Sequence, residues 1–206
     1  MRGERSAVGR GDIRANVTGR ETAIWVTGFG WLALVTGGFW LWERYDGTPG
    51  TVGARAVAAD VATTGRWRLT VFAHPRCPCT RATLREASEI ATAAPDVALR
   101  VLFVRPLNSP AGWERGEAWE LATRIPGAEV ACDATGAEAR RFGAETSGQA
   151  VLTDPTGRVV FRGGLTQARG RTGASAGRRA VLAWVRGENA APEAPVFGCP
   201  LFAPDE

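Results

Sequence analysis

Leu69-Thr-Val-Phe-Ala-His-Pro-Arg-Cys-Pro-Cys-Thr80 is the stretch that decides the fold. Residues 69–73 form a short apolar run with β-branched and aromatic members, the pattern of a buried strand. His74-Pro75 ends it, because the residue before a proline is pushed away from helix and Pro75 has no N–H to donate. From Thr80 to Ala94 there is no Gly or Pro, and Ala82, Leu84, Ala87, Ile90, Ala91 and Ala94 fall near helical spacing. Cys77 and Cys79 therefore stand where a buried strand hands over to the N-terminus of a helix. That end of a helix carries partial positive charge and free N–H groups, which favour a thiolate over a thiol. The thiolate is the nucleophile of disulfide exchange.

Outward from this stretch, strands and helices alternate. Strands are expected at 97–104, 129–132, 150–153 and 158–162, and helices at 80–94, 113–125, 136–142 and 174–186. Asp154-Pro-Thr-Gly157 lies between two β-rich runs and reads as a hairpin turn. The order βαβαβαββα predicts an α/β fold, a mixed sheet flanked by helices. About 140 residues can bury roughly two-thirds of their chain surface, enough for an independent core.

The strand, the Cys-Pro-Cys turn and the helix together resemble the thioredoxin-like superfamily, in which the first active cysteine caps a helix. Thioredoxins place two residues between the cysteines, and here there is one. His74–Thr80, Thr146–Gly148 and Val196–Cys199 also resemble the motifs of membrane-tethered RedB-type proteins, and the alternation resembles that of TlpA-like redoxins. The resemblance covers about residues 69–201 and implies a thioredoxin-like domain acting on protein or small-molecule thiols and disulfides. It implies catalytic roles for Cys77 and Cys79, with His74, Pro75, Arg76, Thr80, Ser147 and Gly148 around them. Thr146-Ser-Gly-Gln149 occupies the place where thioredoxins carry a proline facing the cysteines, and Gly148 there allows close backbone approach.

The chemistry of the four cysteines is weighed residue by residue. Cys77, before the helix, is expected to be the more acidic and more exposed of the pair and to attack, with Cys79 resolving. A bridge between positions i and i+2 closes a small ring that departs from relaxed disulfide geometry, which makes it more reducible. Alternatives are an inert pair of thiols, and a peroxiredoxin-like peroxidase using Cys77 with Thr80. Another is a copper-binding Sco-like assembly protein using His74, Cys77 and Cys79. Sco-like proteins show a Cys-x-x-x-Cys spacing and a distant second His, and this chain has one His in all. No resident metal or other cofactor is expected. Cys132 and Cys199 are each a possible resolving thiol, or together a structural disulfide, and four cysteines leave three pairings open.

Residues 22–42 contain no charged side chain and include Trp25, Phe29, Trp31, Phe39, Trp40 and Trp42. A membrane span needs roughly 20 apolar residues, and tryptophans favour its two interfaces. The run exceeds a typical signal-peptide core of about 7–15 residues and no Ala-x-Ala follows at once, so an uncleaved anchor in the lipid bilayer is expected. Five arginines precede it, whereas Arg44 follows beside Glu43 and Asp46. The positive-inside rule then puts the N-terminus in the cytoplasm. The expected setting is a bacterial inner membrane crossed once, with the folded domain periplasmic, where disulfides persist. The expected organisation is a disordered cytoplasmic tail over 1–21, the span over 22–42 and a linker over 43–66. A thioredoxin-like domain over 67–190 and an extended tail over 191–206 complete it.

The chain's 25 basic and 21 acidic residues give a net charge of +4, and every basic residue is Arg. The charges are mixed along the sequence, which excludes a nucleic-acid-binding stripe. The Gly/Arg-rich stretch 163–173 follows a strand, but without Lys it cannot be a phosphate-binding P-loop. Glu114, Glu117 and Glu120 have the spacing of a solvated helix face.

Overall fold

The computed structural model describes residues 11–53, 65–106 and 109–202. The chain divides into two compact units, Met1–Tyr45 and Asp46–Glu206. Helix α1, Gly11–Asp46, supplies nearly all of what is described in the first. Its Gly19–Asp46 stretch is long and apolar enough to cross a membrane, and no residue of its most apolar window is buried. Trp25, Phe29, Trp31, Phe39, Trp40 and Trp42 are all more than half exposed. A helix apolar on every side needs an apolar medium around it. At 1.5 Å per residue the 28-residue stretch is about 42 Å long, more than the roughly 30 Å hydrocarbon core. The helix also takes in residues 11–21, expected as disordered tail. No proline interrupts the chain there, so helix propagates once nucleated. The rest of that tail, residues 1–10, lies outside the described residues.

The second unit is a six-stranded sheet in the order β3-β2-β1-β4-β5-β6. Strand β1, Arg68–Ala73, is central, parallel to β2 (Ala98–Arg105) and antiparallel to β4 (Gln149–Thr153). Strand β3, Glu129–Ala134, extends the sheet beyond β2 in parallel. Strand β5, Val159–Gly164, returns antiparallel to β4 through the predicted hairpin. Helices α2 (Thr80–Ala93), α3 (Glu117–Thr123), α4 (Ala137–Arg141) and α5 (Ala176–Val185) flank it. This is the α/β architecture expected from the sequence, a mixed sheet flanked by helices.

The two-residue period of β1 builds two cores. Leu69, Val71 and Ala73 face Leu84, Ala87 and Ile90 of α2, with Ala122 of α3 and Val181 of α5 in the same cluster. Phe72 points the other way, to Leu102, Val104, Phe142 and Leu201. Burial on both faces explains why β1 reads as a continuous apolar run instead of alternating.

Three expectations need correction. The helix expected over 113–125 begins only at Glu117, because Gly112 at φ +84° and fully extended Gly116 hold the preceding residues in turns. Glu114 therefore lies off the helix and is buried, while Glu117 and Glu120 are exposed. The tail is not merely extended: Glu193–Ala194 forms strand β6, parallel to β5. In the expected linker, Gly50 N–H donates to the Val196 carbonyl at 2.8 Å and Gly53 N–H to the Gly143 carbonyl at 3.1 Å. Its residues 54–64 lie outside the described residues.

The β4–β5 turn gives a pH prediction. Asp154 accepts from Thr156 N–H at 2.9 Å, Thr156 Oγ1 at 2.6 Å and Arg158 N–H at 3.0 Å, and Gly157 closes the turn at φ +88°. Burial alone would raise the Asp154 carboxyl, but these hydrogen bonds outweigh it and hold it below its ordinary value. A depressed folded-state pKa means stability that is present above the unfolded value of about 3.9 and lost as pH falls through the folded one. Asp154→Asn should cost on the order of 1 kcal/mol at neutral pH. Urea midpoints should converge with wild type as pH drops from 6 towards 2. A gap that stays constant with pH would remove the carboxylate from the explanation.

Candidate active site

The C-terminal end of β1 leads into residues 74–79, a compact double turn. Cys77 N–H donates to the His74 carbonyl and Thr80 N–H to the Cys77 carbonyl, both at 3.1 Å. The Thr80 hydroxyl donates back to the His74 carbonyl at 3.1 Å, and Arg76 N–H donates to His74 Nδ1 at 3.2 Å. The His74 ring stands edge-on to Trp113, and the Arg76 guanidinium lies 4.5 Å from the Trp113 ring centre. Burial, and then the charge of Arg76, lower the His74 pKa, consistent with an Nδ1 that accepts. Cys79 is the N-cap of α2, at φ −70° and ψ −20°.

The Thr146–Gly148 segment enters from the start of β4. Gly148 sits at φ +92° and donates its N–H to the Phe72 carbonyl at 2.8 Å. A Cβ there would stand 2.7 Å from Thr83 Oγ1, so both backbone angle and space demand glycine. Ser147 Oγ accepts His74 N–H at 2.9 Å and shares a hydrogen bond with Thr80 Oγ1 at 3.1 Å. Ser147 thus joins the Cys-Pro-Cys turn to the neighbouring strand.

The C-terminal tail completes the site. Ser147 N–H donates to the Cys199 carbonyl and Leu201 N–H to the Glu145 carbonyl, both at 2.8 Å, with an antiparallel bridge between Thr146 and Pro200. Val196, Phe197 and Leu201 are buried and fasten the tail. The Arg169 guanidinium donates to the Gly198 carbonyl.

This arrangement sets the three thiols apart electrically. Burial would raise the Cys77 thiol, but hydrogen bonding from Cys199, from the Cys79 backbone and from the Ser147 side chain outweighs it, and the net shift is downward. Cys79 is raised, first by burial and then by the adjacent Cys77 charge, against partial relief from Arg169 and the Gly170 N–H. Cys199 is pushed up to about 12 by burial and by its contact with Cys77. Cys77 is 4% exposed and Cys79 8%, so the expectation that Cys77 is the more exposed does not hold. The sequence offers Cys199 as one of two candidate resolving thiols but gives no sign that its tail packs over the turn.

Cys132 is elsewhere. On β3 it pairs in register with Phe103 of β2, and burial and the neighbouring Glu114 raise its pKa, with Arg105 opposing. All four cysteines are free thiols. Arg169 and Gly170, beside Cys79, went unnoticed in the sequence. Their only signal was the Gly/Arg-rich loop that follows β5. Among the described residues, no group of three or more His, Cys, Asp or Glu side chains is arranged to hold a metal ion.

No protein-family model matches this sequence, and no curated protein does. Solved structures do. A hypothetical protein from Sinorhizobium meliloti 1021 is similar at TM-score 0.56 and 21% identity, over 76% of this chain and 97% of that one. An uncharacterized conserved protein from Geobacillus kaustophilus is similar at TM-score 0.56 and 16% identity, over 78% and 92%. A secreted Mycobacterium tuberculosis disulfide oxidoreductase is similar at TM-score 0.42 and 17% identity, over 61% and 84%. At these identities the likeness is one of fold.

Proposed function

We propose that this protein is a membrane-anchored thiol–disulfide oxidoreductase, with Cys77 as nucleophile and Cys79 as the second thiol of the turn. The observation that carries this reading is the place of Cys77 in the turn between β1 and the N-terminus of α2, framed by His74, Thr80 and Ser147, where hydrogen bonding lowers its thiol pKa although it is buried. Burial alone would raise a thiol, as it does for half-buried Cys132 on β3, where the neighbouring Glu114 adds to the rise. In the proposed step the Cys77 thiolate attacks one sulfur of a target disulfide. A Cys77–target bond forms, the target's S–S bond breaks, and its other sulfur leaves as a thiolate. Serving as anchor, α1 would keep the N-terminus cytoplasmic and present the domain over residues 67–190 to the oxidising side. Its substrates would be protein or small-molecule thiols and disulfides.

The test is residue-resolved iodoacetamide labelling of the reduced full-length chain in detergent, followed against pH. Cys77 should acquire its thiolate at the lowest pH of the four, below the ordinary thiol value of about 8.5. Oxidised glutathione should form its first mixed disulfide there, and Cys77→Ser should form none. First reaction at Cys79 or Cys132 would overturn the assignment.

A further inference from the structure

We infer that Cys199 is the internal disulfide partner of Cys77, delivered by a C-terminal tail that occupies the site between turnovers. The inference rests on the reading of Cys77 as nucleophile and extends it to a third thiol. Three observations carry it. The tail is placed by main-chain bonds on both sides of Cys199: its own carbonyl takes the Ser147 N–H, and Leu201 N–H reaches Glu145, each at 2.8 Å. Gly198 lets the tail approach where no side chain fits, since a Cβ there would lie 1.9 Å from the Ser147 carbonyl oxygen. Ser147 in turn is hydrogen-bonded to His74 and Thr80, the residues that frame the cysteine turn. Cys199 is therefore held beside the Cys77 turn by the segment that precedes β4.

Cys79 is less suited to that bond. Thr80 N–H closes the turn onto the Cys77 carbonyl, Cys79 has helical backbone angles, and its carbonyl accepts from Ala82 and Thr83 at 3.1 and 3.2 Å. A bridge between positions i and i+2 closes a small ring, so forming it would disturb the turn that starts α2. Bridging Cys77 to Cys199 joins two segments already paired through Ser147.

The step balances without any further reagent. Once Cys77 is joined to a target sulfur, the tail returns and the Cys199 thiolate attacks Cys77 Sγ. The Cys77–Cys199 bond forms, the Cys77–target bond breaks, and the target thiolate takes up the proton that Cys199 gave away. One target disulfide is reduced to two thiols, and two protein thiols are oxidised. The timing is built in. Besides burial, contact with the charged Cys77 sulfur holds the Cys199 proton in place. That charge disappears when Cys77 becomes part of a mixed disulfide.

The test is a disulfide map of the full-length chain in detergent, oxidised with oxidised glutathione, blocked with N-ethylmaleimide at low pH and digested with trypsin. Cleavage at arginine puts Cys77 and Cys79 in peptide 77–81, Cys132 in 125–140 and Cys199 in 187–206. The expected product is 77–81 linked to 187–206, with N-ethylmaleimide on Cys79. An internal bridge within 77–81, a link from 187–206 to 125–140, or no link at all would overturn the inference. In Cys199→Ser, the Cys77–glutathione mixed disulfide should persist at least tenfold longer than in wild type, and an unchanged lifetime counts against it. Loss of the mixed disulfide in Cys77→Ser is read separately. If that mixed disulfide survives, the reading of Cys77 as nucleophile fails; if only the Cys199 results disagree, the role of the tail alone fails.

Discussion

Gly198→Ala is expected to destabilise the domain by about 3 kcal/mol, the upper end for forcing a methyl group into a closed space. The new Cβ would lie 1.9 Å from the Ser147 carbonyl oxygen and 3.0 Å from its carbon. Backbone cannot yield as a flexible side chain would, so the tail must lift. Lifting breaks the Ser147 N–H to Cys199 bond and uncovers Val196, Phe197 and Leu201, each worth about 1.5–3 kcal/mol when fully buried. In a chain of this size the melting temperature should fall by roughly 6–12 °C. The site should change in two separable ways. Cys77 loses its hydrogen bonds from Cys199, which lower its pKa, together with the burial that raises it, so the pH profile of its labelling should shift. At a pH where it is fully ionised it should nonetheless label faster, because its cover is gone. A variant that melts like wild type, with an unchanged Cys77 profile, would show that the tail is not held as described.

Glu86→Ala should cost a similar amount, for a different reason. Glu86 is 1% exposed on α2, among apolar neighbours. One carboxylate oxygen accepts Gly173 N–H at 2.7 Å, and the other pairs with the Arg178 guanidinium at 2.9 Å. Arg178 N–H donates at 3.0 Å to Ser175 Oγ, the N-cap of α5, whose hydroxyl donates to the Leu165 carbonyl at 2.6 Å. One side chain thus ties α2, α5 and the glycine-rich loop together. Removing one partner of a buried ion pair costs about 3–5 kcal/mol. Arg178 keeps a quarter of its side chain in solvent, which places the expected loss near 3 kcal/mol. Glu86→Gln keeps an acceptor for Gly173 N–H and should lose less. Denaturant midpoints of the two variants test this: if Glu86→Gln, which keeps the side chain's volume but not its charge, were as stable as wild type, packing and not the ion pair would account for the effect.

Much of the frame was legible in the sequence because it rests on local rules. The apolar run at 69–73, the proline at 75 and the unbroken run to Ala94 each act within a few residues. They correspond closely to Arg68–Ala73 and Thr80–Ala93 in the structure. The hairpin at Asp154-Pro-Thr-Gly157 is equally local, and so is the uncharged stretch of α1. The helix expected at 113 failed because glycines at 112 and 116 outweighed a favourable pattern of apolar residues.

By itself, the sequence determined the alternation of strands and helices and the place of Cys77 and Cys79 at a strand-to-helix turn. It also determined a helix apolar enough to span a bilayer. Composition, periodicity and turn chemistry act over a few residues, so they can be read along the chain. Only the tertiary structure decided that Cys199, 122 positions after Cys77 (199 − 77), shares its site, that Cys132 does not, and that Arg169 stands beside Cys79. Those neighbours are set by β6 joining β5 and by the tail pairing with residues 145–147. Pairing between distant backbone segments depends on which edges the rest of the sheet leaves open, and no short stretch of sequence carries that information.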